Sequence, residues 1–333
     1  MCCPAFRYVG QYIKYTQRIK GGKTVNERLE TVVENIEKVI VGKREAIVKV
    51  LCAMLSEGHI LVEDVPGVGK TRLISALANS VDGQYNRIQL TPDIMPSDIV
   101  GFSMINNQTR ELEYRAGAAM CNFLLADEIN RASPKAQSSL LEIMEEHQIS
   151  LDSVTMPLPK PFMVMATENP VETYGTYHLP EAQMDRFLMR ISMGYPSYED
   201  EFDIVRRSEQ PYFNEQLSPV MTLDELLEHI ENVKKVTCTD SIVSYVIRLV
   251  TATRESDLVS LGASPRASIA LLKAAKSYAY VQGRDYVVPD DVKFMMEPVL
   301  SHRLILSPKG KSAYESAGQV IEQIASGVEA PTR

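Results

Sequence analysis

The chain has 333 residues, 45% of them hydrophobic, which predicts about two globular domains with sizeable cores and excludes extended disorder over most of the length. Its 43 acidic residues outnumber 35 basic ones, for a net charge of -8, and that balance weighs against a protein whose main task is gripping nucleic-acid phosphates. No run of about 18 apolar residues occurs, so no membrane span is expected.

In chain order, residues 1–26 form a basic extension that lacks the apolar centre of a signal peptide and is expected to lie outside the folded domains. It carries Cys2 and Cys3. Together with Cys52, Cys121 and Cys238 these have neither metal-site spacing nor the look of a disulfide framework, which predicts a reduced, cytoplasmic chain. From 27 to 196, short apolar runs at His59–Glu63, Tyr85–Leu90, Phe123–Ala126, Phe162–Thr167 and Arg190–Met193 alternate with helical spacings such as Leu73, Leu77 and Val81. That alternation predicts an α/β domain with a mainly parallel sheet covered on both faces.

The pattern changes at Tyr195-Pro196. Residues 197–330 read as a smaller, all-α domain with almost no strands. Thr222 and Glu225 make a capping box. Ile242, Tyr245, Val246 and Leu249 share one helix face, and Ile269, Leu272, Ala275 and Ala279 another, over Pro265 to Gln282. The junction of the two domains is where a ligand is expected to sit.

The sharpest local signal is HILVEDVPGVGKT at 59–71, a strand running through a glycine loop into a helix. Gly67 and Gly69 let backbone N–H groups converge on phosphate oxygens, the helix N-terminus adds its positive end, Lys70 can reach the β- and γ-phosphates, and the Thr71 hydroxyl can ligate Mg²⁺. Asp64 stands where the phosphate-loop pattern wants its first glycine. Pro66, Gly67, Val68, Gly69, Lys70, Thr71 and Arg72 are the expected nucleotide-contacting stretch, with ATP and Mg²⁺ as the bound species.

The strand NFLLADE then ends in two acids. Asp127 is the candidate metal-side ligand and Glu128 the candidate base that orients the attacking water. Ser133-Pro134 supplies an N-cap and first-turn proline for the following helix. The strand PFMVMATEN ends in Asn169, whose amide is placed to hold the hydrolytic water, or else simply forms a turn before Pro170.

The blocks DEINRASPKAQSSLLEIMEEHQISL at 127–151, ATENPVETYGTYHLPEAQMDRF at 166–187 and SPRA at 264–267 resemble the signatures of MoxR-type AAA+ ATPases, and the likeness runs from about Glu27 to Leu306. It implies an α/β P-loop NTPase core followed by an all-α lid, ATP hydrolysis, and a homo-oligomeric, hexameric ring that remodels or activates a client protein complex, often beside a protein with a von Willebrand factor A domain. It implies that Val41-Gly42 pack on the adenine, that Asp64 is no anomaly, and that Asn169 is similar to sensor 1. By the same resemblance Arg186 is the arginine finger reaching a neighbouring subunit, and Arg266 is sensor 2, contacting the γ-phosphate from the lid. Arg131 is an alternative finger that the sequence leaves open, and an ordinary ion pair of Arg186 with Asp185 or Glu181 is the plain alternative for that residue. His178 stands where the family block more often has proline. Segments 101–118 and 148–161 resemble hairpins that project from the body. A metal-chelatase motor subunit shares this architecture and is the nearest alternative; a DNA-directed motor is disfavoured by the acidic balance.

Overall fold

The computed structural model describes residues 26–64, 67–106, 108, 110–151, 154–169, 176–177, 179–209 and 217–331. The N-terminal extension with Cys2 and Cys3, together with Pro66 and His178, lies outside the described residues.

Two helices come first: α1 (Glu27–Glu37), capped by the Asn26 side chain, and α2 (Arg44–Leu55). The core then runs β1 (Ile60–Glu63), α3 (Lys70–Ser80), β2 (Tyr85–Gln89), α4 (Pro96–Val100), β3 (Gly101–Ile105), β4 (Leu112–Ala116), β5 (Phe123–Asp127), α5 (Pro134–Glu146), β6 (Gln148–Leu151), β7 (Val154–Pro157), β8 (Met163–Glu168), α6 (Glu181–Met184) and β9 (Met189–Ile191). The remainder is α7 (Tyr198–Ser208), α8 (Leu223–Lys234), α9 (Asp240–Glu255), β10 (Val259–Leu261), α10 (Pro265–Val281), α11 (Pro289–Leu300), β11 (Ile305–Leu306), α12 (Pro308–Ala313) and α13 (Ala317–Ser326).

Five strands form one sheet in the order β2-β5-β8-β1-β9, each neighbour parallel. Their side chains alternate between two apolar cores, as a period of two requires. Leu61, Leu124, Ala126 and Val164 face α5 through Leu140, Leu141 and Met144. Ile60, Val62, Phe123, Leu125 and Met165 face the other way, onto α1, α2 and α3. The two segments resembling projecting hairpins are antiparallel pairs, β3 with β4 and β6 with β7.

The helical lid is built as its local chemistry dictates. Thr222 and Glu225 close their reciprocal capping box at the start of α8, and Ile242, Tyr245, Val246 and Leu249 of α9 are buried. One expected face is partly displaced. Ala275 and Ala279 are buried as expected, but Ile269 is 60% exposed, and α10 also buries Ala267, Ala270, Leu271 and Ala274. A stripe of alanines lets α10 approach α2 and α11 closely, and a branched Ile would hold the backbones apart. The lid also contains a two-strand pair, β10 with β11, too short to show in the sequence pattern.

The lid helices share one continuous core with the sheet face and with α1 and α2, joining Leu29 and Val50 to Leu271 and Met295. Polar contacts reinforce the seam: Ser56 Oγ lies 2.7 Å from Ser277 Oγ, and the Asn26 N–H donates to the Val281 carbonyl. Among the described residues no helix is long and apolar enough to cross a membrane.

Candidate nucleotide site

β1 delivers the chain into the glycine loop, where Gly67 and Gly69 have φ of 88° and 95°. Both angles lie in the left-handed region that side chains with a Cβ resist. Gly69 is the N-cap of α3, with no side chain capping that turn. A Cβ placed on Gly67 would meet nothing within 4 Å, and one on Gly69 only the Met193 Cε at 3.9 Å. The loop therefore leaves open space in front of a helix N-terminus, which is what an anionic polyphosphate requires. Thr71 is exposed at this end, and Val68 leans on the core. Lys70 Nζ donates to the Asp64 carbonyl at 2.9 Å, so its ammonium is already folded over the loop.

Asp64 is buried, and its carboxylate has work of its own. Oδ2 accepts the Met193 and Gly194 N–H groups, the latter at 3.1 Å, and the Ser192 hydroxyl at 3.3 Å. The acid at the head of the phosphate loop thus ties it to the linker after β9. The same linker holds the Val41–Lys43 turn. Lys43 Nζ donates to the Tyr195 carbonyl at 2.7 Å, and Gly42, at φ 71°, comes so near Asp200 that a Cβ would fall 2.1 Å from its carboxylate.

The two acids stand two strands away. Between β1 and β5 lies β8, so Asn169, buried just beyond its end, is set between the glycine loop and the acids. Asp127 ends β5, and Glu128 turns left-handed at φ 59° and ψ 53°. That conformation costs a non-glycine residue roughly 1–3 kcal/mol unless its surroundings impose it. Thr167, fully buried on β8, imposes it: its Oγ1 donates to Asp127 Oδ1 at 2.6 Å and accepts the Glu128 N–H at 2.9 Å. Two guanidinium groups complete the cluster. Arg87 of β2 donates to Asp127 Oδ2 at 2.6 Å, and Arg131 lies 3.3 Å from Glu128 Oε2. Among the described residues there is no group of three His, Cys, Asp or Glu that would cage a metal. Mg²⁺ needs no such cage, because it binds through one or two oxygen ligands plus phosphates and water. Thr71 and Asp127 fit that mode.

Sequence reasoning missed Thr167, Arg87 and the Asp64 contacts. A signal existed for Thr167, the lone hydroxyl in the apolar run PFMVMA preceding it, and for Arg87, a cation in a strand beside the acid-bearing one.

The two remaining arginines are elsewhere. Arg186 precedes β9, donates to the Leu141 carbonyl at 2.7 Å and pairs with Glu145 Oε2 at 3.0 Å. Neither Asp185 nor Glu181 is its partner: Asp185 accepts from Arg303 at 2.6 Å and from Ser264 at 3.1 Å. Arg266, in the first turn of α10, pairs with the other Glu145 oxygen at 2.5 Å. Glu145 is near the C-terminal end of α5, whose neighbouring Met144 carbonyl bonds His59, the residue before β1. The glycine loop begins at the other end of β1, whose four residues span about 13 Å. Arg266 is therefore not brought to the glycine loop of its own chain. Within one protomer Arg266 and Arg186 stand together at the edge of the sheet opposite the glycine loop, because α5 runs back along the whole sheet before Glu145 is reached. Arg131, by contrast, remains at the loop edge beside Glu128.

Comparison with known proteins agrees with this construction. Residues 59–189 match the family described as ATPase family associated with various cellular activities (AAA), and residues 251–324 match the AAA lid domain. The chain is 48% identical over 301 residues to the uncharacterized protein YeaC of Bacillus subtilis, covering 90% of this chain and 94% of that one. It is 43% identical over 288 residues to the chaperone MoxR1 of Mycobacterium tuberculosis, covering 84% of this chain and 76% of that protein. A crystal structure of a Cytophaga hutchinsonii protein, assigned as a candidate ATPase, superimposes with a TM-score of 0.85 at 39% identity, covering 92% of this chain and 96% of that one. With sheet order, glycine loop, paired acids and lid all in place, the chain belongs to the MoxR family of AAA+ ATPases.

Proposed function

We propose that this chain binds ATP with Mg²⁺ and hydrolyses it in a site completed by a second protomer of a homo-oligomeric ring, and that the cycle remodels or activates a client protein complex. The observation that carries this reading is the division of labour across the sheet. The glycine loop, Asp127, Glu128 and Asn169 share one edge, whereas Arg186 and Arg266 share the other. Each protomer offers half of a phosphoryl-transfer site at each of two faces, so head-to-tail association would bring the halves together, and such association forms a ring where the rotation between protomers closes.

Within the site, the backbone N–H groups of the loop and Lys70 hold the phosphates, and Thr71 and Asp127 hold Mg²⁺, which neutralises charge on the phosphate oxygens when bound. Glu128, fixed by Thr167, orients a water for attack and accepts its proton, with Asn169 holding that water from the middle strand. The neighbour's Arg186 and Arg266 spread positive charge over the transferring group, a contribution worth roughly 10³–10⁵ in rate for a finger. Val41-Gly42 bear on the adenine. The client role follows the naming of relatives such as the chaperone MoxR1; a hexameric ring, a partner with a von Willebrand factor A domain and a cytoplasmic setting belong to the same proposal.

The direct test is Glu128→Gln followed by calorimetry and phosphate release. The variant is expected to bind ATP with Mg²⁺ as tightly as the parent and to lose turnover. Undiminished turnover would remove Glu128 from the role of base, and an absence of nucleotide binding by folded parent protein would overturn the reading altogether.

A further inference from the structure

The carboxylate of Glu145 bonds Arg186 through one oxygen and Arg266 through the other, at 3.0 Å and 2.5 Å, and Arg186 is held a second time by the Leu141 carbonyl. This Arg–Glu–Arg arrangement joins three separate parts of the chain: the end of α5, the turn before β9 and the first turn of the lid helix α10. Nothing in the family motifs assigned Glu145 a role.

We propose that Glu145 is a positioning residue that holds Arg186 and Arg266 as a pair on the face presented to the next protomer. The inference rests on the shared-site reading above and deepens it. Two guanidinium groups brought to one spot repel each other, and each long, flexible side chain must lose rotamer freedom before it can act. A carboxylate between them offsets the repulsion and restricts both side chains in advance. Charge stabilisation in a transition state depends on that kind of prior ordering. The α10 site makes the need greater, because a cation in the first turn of a helix faces the positive end of the helix dipole.

Two further observations agree. The Arg266 hydrogen bond, and then the nearby Arg186 charge, hold the Glu145 carboxyl below the usual range, so it is ionised at neutral pH. Beside Arg186 a cleft of about 280 Å³ is lined by Ser138, Glu142 and Glu146 of α5 and by Gln183, and the side chains of Arg186 and Arg266 stay 32% and 48% exposed. The two arginines are therefore held by one carboxylate and still reachable from solvent.

The experiment is a subunit-mixing assay on the full chain. Glu145→Ala is expected to lower kcat about 10- to 100-fold, the cost of a misplaced catalytic group, while nucleotide affinity changes less than about twofold because the chain's own loop is untouched. Mixing it with Lys70→Ala subunits, whose loop is disabled but whose Glu145 is intact, is expected to recover more ATPase activity than the two give separately. The double variant Glu145→Ala with Arg186→Ala is expected to be no worse than Arg186→Ala alone. Should Glu145→Ala fail to assemble, Glu145→Gln carries the same comparison. Recovery by Arg186→Ala with Lys70→Ala, but none by the Glu145 variant, would overturn the role of Glu145 alone. Failure of both mixtures, with mixed assemblies confirmed by native mass spectrometry, would bring down the shared site and the inference with it.

Discussion

Thr167 and Asp127, on adjacent parallel strands, are joined by a 2.6 Å hydrogen bond, and the same hydroxyl receives the N–H of Glu128. One buried side chain thus fixes both the orientation of Asp127, the proposed metal-side acid, and the left-handed turn of Glu128, the proposed base. Thr167→Val keeps the shape and removes both bonds, leaving the half-buried Glu128 N–H unpaired at a cost of roughly 1 kcal/mol or more. We expect kcat to fall about 10- to 100-fold with ATP affinity nearly unchanged, and Thr167→Ser to restore most of the rate. Phosphate release and calorimetry on the three proteins decide this; a valine variant as active as the parent would show that the turn holds itself.

Arg186 and Arg131 are separated by the depth of the sheet, which makes the choice of finger testable. Arg186→Ala subunits mixed with Lys70→Ala subunits are expected to regain activity, because the intact halves meet at one interface. Arg131→Ala, acting beside its own Glu128, should show no such recovery. The reverse pattern would make Arg131 the residue that crosses between protomers.

Asp64 is a buried acceptor for two backbone N–H groups and a hydroxyl. Replacing it by alanine strands those donors, and we expect a loss of about 2–3 kcal/mol of stability in chemical denaturation. Asp64→Asn keeps one oxygen acceptor and should lose less than half as much. Equal losses would mean that charge, and not hydrogen bonding, is what Asp64 supplies.

His59 is fully buried, accepting the Val164 N–H on Nδ1 at 3.0 Å and donating from Nε2 to the Met144 carbonyl at 2.9 Å. Burial, opposed by the bond to Met144, holds its pKa down to about 4 from 6.5, and His302 is lowered as well, by burial and the adjacent Arg303. Between pH 6.5 and 4 the unfolded chain binds protons that the folded chain refuses, so stability must fall as pH falls through that window, by about 3 kcal/mol for His59 alone. Melting temperature followed from pH 7 to 4.5 should therefore drop, and less steeply in His59→Gln; an identical slope would show that His59 is not the group responsible.

What could be read from the residues follows the range of the interaction that carries it. The glycine loop, the acids after β5, the capping box at Thr222 and the proline-led start of α5 depend on neighbours within a few positions, so their spacing announces them. The strand order is not local, and neither are the meetings it creates. Thr167 with Asp127, Asp64 with Gly194 and Glu145 with two arginines join residues between 40 and 130 positions apart. The resemblance to the family supplied Arg266 a role, but only the course of α5 along the sheet shows which edge it occupies. Ile269 was misjudged because hydrophobicity alone favours isoleucine over alanine, whereas close helix approach favours the smaller residue.

The undivided apolar interior running from α1 and α2 through the sheet into α10 and α11 has a mechanical consequence. Prying the lid away would return side chains such as Leu51, Leu271 and Val292 to water at about 1.5–3 kcal/mol apiece, far more than ordinary thermal fluctuation supplies. In the proposed ring each protomer would accordingly move as one block, with the stroke of a nucleotide cycle falling at the seams where Arg186 and Arg266 are proposed to meet the neighbour's phosphate.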